Sequence, residues 1–180
     1  IMLELSQDIC DLFGADRLTI YAVGEDKQSI VSKVKTGLHS FKDIRLPISE
    51  QSVAGYAAVT KTLLNIRDVY DDVELKGYSP SMQFLKEVDR RTGYRSKQML
   101  VAPIVDAQNN ELLGVVQLLN NRQDMPFAPL AEEGVQSLTQ TLAIAFTQRQ
   151  RPLAARTKYD ALISDGVISA AELELAQRSA

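Results

Sequence analysis

Between residues 97 and 148 the chain sets out two strands and a long helix in close succession, and this run restricts the fold more than any other. Residues 97–105 and 112–120 are apolar stretches of strand length. The turn between them, 106–111, is rich in Asp and Asn, whose short side chains bond nearby backbone and fold a chain back on itself. Phe127 follows in a short loop, and residues 130–148 then place Val135, Leu138, Leu142 and Ala145 on one helical stripe. Pro129 opens that helix where no backbone N–H is needed, and Glu132 and Glu133 stand at its positive dipole end. A helix with one apolar face, next to an antiparallel pair, buries that face most simply against the sheet. The expected class is α+β, a central antiparallel sheet of about six strands flanked by helices.

The rest of the chain supplies the other elements. Met2, Leu5, Ile9, Leu12 and Phe13 recur at helical spacing, with Gly14 as the expected C-cap. Residues 17–23 alternate, with Leu18, Ile20 and Ala22 on one face and Arg17, Thr19 and Tyr21 on the other. The polar cluster 24–28 suits a hairpin loop, 29–35 the returning strand, and Ile44, Leu46 and Ile48 a third strand. Ser52 is the expected N-cap of a short apolar helix over 53–60, followed by a brief strand at 63–66. Asp68, Asp71, Asp72 and Glu74 lack the spacing and glycine of a calcium loop, so 67–76 reads as a solvated surface loop. Ser79-Pro80 predicts the start of a helix over 81–92, ended by Gly93, with Asp89, Arg90 and Arg91 among its surface charges.

Pro152 stops the helical pattern. The chain therefore divides into one domain over residues 1–150 and, over 151–180, a linker with the start of a following helical domain. In that tail, Asp165-Gly166 makes a turn and Ser169 with Glu172 a capping box. Because Ile1 falls inside a helical pattern, the expectation is a fragment of something longer.

Composition removes several function classes. A formal charge of -3 with no basic block gives no support to nucleic-acid binding. No apolar run approaches the ~20 residues that span a bilayer, so membrane insertion is not expected. Cys10 is the single cysteine, which excludes an internal disulfide and fits a reducing, cytoplasmic location. Its amphipathic helix marks it as a packed side chain rather than a redox group. His39 is the single histidine, too few for an iron site and without a placed nucleophile for a triad. No catalytic residue, metal or cofactor is expected, and the chain does not read as an enzyme.

Four stretches, in order, carry a family resemblance. Ser52-Val53-Ala54-Gly55-Tyr56-Ala57-Ala58 is followed by Leu64-Asn65-Ile66-Arg67-Asp68-Val69-Tyr70-Asp71-Asp72. Then come Val88-Asp89-Arg90-Arg91-Thr92-Gly93-Tyr94-Arg95-Ser96 and the corner Asn120, Phe127 and Glu132. Together they resemble the GAF domain, a small sensory fold of the kind found in cyclic-nucleotide phosphodiesterases and adenylyl cyclases. In that family the corner also carries a Lys–Asp pair. Here Asn121 and Ala131 stand in those places, so both charges are gone together.

The resemblance implies a pocket between the sheet and the 52–96 region. Its implied ligand-binding positions are Thr19, Lys35, Thr36, Val53, Ala54, Thr92, Ser96 and Gln117. Gly55 permits close backbone approach, and the N–H groups that begin the 53–60 helix suit an anion. Lys35 stands where nucleotide binders stack an aromatic on the base, a loss of about 1–3 kcal/mol. Thr36 and Gln117 replace acids. A cyclic nucleotide is thus disfavoured, and Lys35, if turned inward, favours an anionic ligand. Bilin-binding and sulfoxide-reducing relatives need pocket cysteines, and this chain has none there.

The leading expectation is a non-catalytic regulatory module that binds a small molecule, modulates a neighbouring effector domain and forms a homodimer by family analogy. The alternative is a ligand-free dimerisation or docking scaffold. Residues 159–176 add a second resemblance, to the opening helical hairpin of type II secretion and type IV pilus assembly ATPases, as a guess at the parent protein.

Overall fold

The structure, a computed structural model, describes residues 2–36 and 43–149. His39 and the tail expected over 151–180, with its secretion-ATPase resemblance, lie outside the described residues. The chain runs α1 (Met2–Phe13), β1 (Ala15–Val23), β2 (Ser29–Lys35), β3 (Arg45–Pro47), α2 (Val53–Thr60) and β4 (Leu64–Ile66). It continues through α3 (Asp72–Tyr78), α4 (Glu87–Thr92), β5 (Met99–Val105), β6 (Leu112–Asn121) and α5 (Pro129–Arg149).

The six strands form one antiparallel sheet in the order β3-β2-β1-β6-β5-β4. The first strand pairs with the last: Ala15 lies opposite Asn121 and Ala22 opposite Gly114, so the two halves of the sheet meet along β1 and β6. A core lies on each face. On one, α1 and α5 cover Leu18, Ile20, Leu100, Val116 and Leu118. On the other, α2 and α3 cover Tyr21, Ile30, Met99, Val101 and Val115. The alternation along β1 puts Leu18 and Ile20 on one face and Arg17, Thr19 and Tyr21 on the other. Both are covered, because Arg17, Thr19 and Tyr21 turn toward the α2 side, where Thr19 and Tyr21 are buried.

Three expectations between residues 67 and 92 need correction. Residues 67–76 are not a plain surface loop, since α3 begins at Asp72. Asp71 caps it, accepting from the N–H groups of Val73 and Glu74 at 3.0 and 3.2 Å. Glu74 reaches back to the N–H groups of Arg67 and Asp68 at 2.8 and 3.0 Å. The acids are spent on backbone donors. Nor does Ser79-Pro80 begin a helix: Ser79 ends α3, its N–H on the Leu75 carbonyl, and the proline stands just past the cap. The expected 81–92 helix keeps only its second half, α4. Its first half is diverted because the N–H of Gln83 bonds the Gln51 carbonyl and Lys76 Nζ holds the carbonyls of Pro80 and Met82. Asp89 is no surface charge either, being 6% exposed.

The corner residues hold the sheet together. Asn120, at φ 58°, accepts from the N–H of Lys97 at 2.6 Å and donates to Tyr94 Oη and the Arg95 carbonyl, each at 2.9 Å. Asn121 accepts from the N–H of Gln123 and donates to the Pro126 carbonyl. Asn65 on β4 donates to the Phe127 carbonyl at 2.8 Å and to Glu132 at 3.0 Å, tying an edge strand to the start of α5.

Candidate ligand-binding site

A cavity of about 120 Å³ opens between the α2 face of the sheet and the segment leading into α4. Its floor is β1 and β6, which bring Arg17, Thr19, Tyr21 and Gln117 to one face; Thr19 lies directly opposite Gln117. One wall is the start of α2, where Ser52 accepts from the N–H of Gly55 at 2.9 Å. A Cβ on Gly55 would meet the carbonyls of Ser49 and Pro47 at 2.5 and 2.7 Å, so glycine is what lets this helix close on the β3 edge. The opposite wall is Gln83, Phe84, Leu85, Val88 and Asp89.

That second wall is fastened by Asp89. It accepts from Tyr70 Oη at 2.7 Å, from the N–H of Ser96 at 2.9 Å and from Ser96 Oγ at 2.8 Å. The ring of Tyr70 is held in turn by Phe84, with centroids 5.5 Å apart, and by the Arg95 guanidinium at 3.7 Å.

At the other end, the Arg17 guanidinium lies 3.5 Å from the centroid of the Tyr94 ring. Tyr94 is fixed by its hydroxyl, which donates to Asp16 at 2.5 Å and accepts from Asn120. Burial, then the Asp16 carboxylate, push that hydroxyl far above its ordinary pKa. Burial does the same to Tyr21, which stays a neutral donor. Among the described residues, Arg17, Thr19, Tyr21 and Gln117 have no hydrogen-bond partner for their side chains in the protein. Thr19 and Tyr21 are only 6% and 2% exposed.

Of the residues expected at the site, Thr19, Thr36, Val53, Ala54, Ser96 and Gln117 line this cavity. The Thr36 hydroxyl, however, accepts from the N–H of Leu18 at 2.8 Å, and that of Ser96 is taken by Asp89. Lys35 is not in the lining; its Nζ stands 3.5 Å from Asp43. Thr92 is also absent, since its hydroxyl donates to the Val88 carbonyl on the outer side of α4. Arg17, Tyr21 and Asp89 also line the cavity, though they are not among the expected positions. The first two share the alternating face of Thr19, so the period-two pattern already held them.

Cys10 is buried in the helix-side core, and burial raises its thiol pKa, as suits a packed side chain. Among the described residues no three His, Cys, Asp or Glu gather as metal ligands, and no helix is long and apolar enough to cross a membrane.

Comparison with known proteins places this geometry in context. A dual 3',5'-cyclic-AMP and -GMP phosphodiesterase 11A of Takifugu rubripes is 28% identical over 163 residues, covering 84% of this chain and 17% of that protein. The chain thus spans less than a fifth of such curated relatives. The GAF domain of a Coxiella burnetii phosphoenolpyruvate-protein phosphotransferase shares the fold at a TM-score of 0.62, with 20% identity over 78% of this chain and 76% of that one. The GAF domain of a Bacillus halodurans two-component sensor histidine kinase superposes at 0.57, with 20% identity, over 81% and 91% of the two chains. The GAF domain family itself matches residues 1–146. The chain therefore belongs to the GAF domain family, whose members are regulatory and sensory modules.

Proposed function

We propose that this GAF domain is a cytoplasmic sensor that holds a small molecule in the cavity and biases a neighbouring effector domain, with no chemistry of its own. The observation that carries this reading is the cavity itself, onto whose floor the hydroxyls of Thr19 and Tyr21 open without a protein partner. A largely apolar cavity with a few convergent polar groups is the usual form of a small-molecule site, and hydroxyls open on its floor can bond a ligand's polar atoms.

Size favours a small ligand. The volume of about 120 Å³ is close to the ~150 Å³ cavity that accepts benzene, well short of a nucleotide. The route outward is short: Thr19 and Gln117 alternate along their strands with Leu18, Ile20, Val116 and Leu118, which pack beneath α1 and α5. A signal requires that the ligand bind two helix arrangements with different affinity.

A thermal-shift screen of the chain against cyclic nucleotides, amino acids and small carboxylates tests the proposal. A true ligand at a hundred times its Kd stabilises by about 2.7 kcal/mol, and Thr19→Val should weaken it. Silence across the panel would sink the sensor reading.

A dimerisation or docking scaffold is the second reading, favoured by Leu12 on α1 and Leu130 on α5, which are 79% and 77% exposed. A place in a secretion or pilus-assembly ATPase-like protein rests on the 159–176 pattern alone. Sedimentation equilibrium should then show a dimer that Leu130→Asp dissociates; a monomer at every concentration removes the homodimer.

A further inference from the structure

We infer that Arg17 reads the ligand, and that the ligand is a small organic carboxylate; this rests on the cavity being the binding site. The hydrogen-bonding inventory of the floor is lopsided. Arg17 offers donors only, while the hydroxyls of Thr19 and Tyr21 and the amide of Gln117 can each donate as well as accept. The carboxylate on the facing wall, Asp89, already accepts three hydrogen bonds, from Tyr70 and twice from Ser96, and has little capacity left for a ligand's donor. One fixed cation, among neighbours that can all turn to donate, is answered by an acceptor-rich, negatively charged group.

The placement of Arg17 fits that task. Stacking on Tyr94 uses the flat face of the guanidinium and leaves its in-plane N–H groups able to grip two oxygens at once. Tyr94 is itself pinned by Asp16 and Asn120, so the cation is held in position before a ligand arrives. Among the described residues Arg17 has no ion-pair partner, whereas Lys35, the cation expected from sequence, is paired with Asp43. A phosphate monoester carries more charge than one guanidinium balances, and the Asp89 carboxylate lines the same cavity. Leu46, Val53, Ala54, Phe84 and Met99 supply apolar walls for a short hydrocarbon body.

Binding to the full chain is measured by calorimetry and ligand-observed NMR, using butanoate and benzoate, their neutral amides, and inorganic phosphate. Each carboxylate should bind at least tenfold tighter than its amide. Arg17→Gln should erase that preference, the carboxylates losing far more than the amides, and Arg17→Lys should keep part of it. Thermal melts check that both variants fold; if Arg17→Gln does not, a severalfold loss of preference in Arg17→Lys serves as the support, and an undiminished preference there overturns the role of Arg17. Amides binding as tightly as carboxylates, with both weakened by Thr19→Val, overturn the carboxylate inference and leave the cavity as a binding site. Phosphate binding as tightly as the carboxylates overturns it as well. If no probe binds, the inference falls, while the sensor reading still answers to the broader screen.

Discussion

Asn120 shows how a single side chain can carry a family signature without touching a ligand. Its φ of 58° is a left-handed conformation that Asn tolerates better than most residues, and its amide bonds three groups on the turn before β5. Asn120→Ala should cost about 1–3 kcal/mol in urea unfolding, since the N–H of Lys97 loses its partner. Asn121→Ala, whose contacts are exposed, should cost clearly less; equal losses would contradict this account. Charge at the surface behaves differently. Burial alone would raise the pKa of Asp68, but the N–H of Tyr70 and the Arg95 guanidinium outweigh it and hold the carboxyl below its ordinary value. Asp124 is lowered by Gln98 and then Lys97. A depressed folded pKa contributes stability above the unfolded value of ~3.9 and loses it as pH falls through the folded value. Stability should therefore hold from neutral pH to about pH 4 and decline below it, and Asp68→Asn should soften that acid decline. Arg17 and Tyr21 were legible as strand residues, yet their side was not, because a period of two says which residues share a face and not what covers it.

At the scale of elements, the hairpin β5–β6 and the helix α5 were readable because their periods are long and their caps explicit. Residues 67–86 were not, and the reason is competition for backbone groups. Asp71 and Glu74 supply acceptors that stabilise a helix where acidic clustering suggested a loop, while Gln51 and Lys76 draw 80–83 away from the helix that Ser79-Pro80 suggested. The same stretch forms one wall of the cavity, so what sequence misread is also what shapes the site. Gly77 lies within α3, and a Cβ there would meet nothing within 4 Å. Gly77→Ala should raise stability by about 0.5–1 kcal/mol through backbone entropy alone. A variant less stable than the parent in urea unfolding would show that the helix is not as described.

For the whole molecule, the decisive contact is the pairing of β1 with β6, since it joins strands from the two ends of the domain. A Cβ on Gly114 would lie 2.1 Å from the Tyr21 carbonyl and 3.0 Å from the Phe146 ring. Gly114→Ala must push apart either the two strands or the sheet and α5. Overpacking of this kind costs about 1–3 kcal/mol, so the variant should lose cooperativity and melt well below the parent in calorimetry. An unchanged melt would mean the close approach is not there. The two-sided sheet has one more consequence. Along β1 the odd-numbered side chains Arg17, Thr19 and Tyr21 face the cavity, and the even-numbered Leu18 and Ile20 face the terminal helices. The strand is a text in which alternate letters belong to different messages. Selection can rewrite one set to change what is recognised while the other keeps its wording.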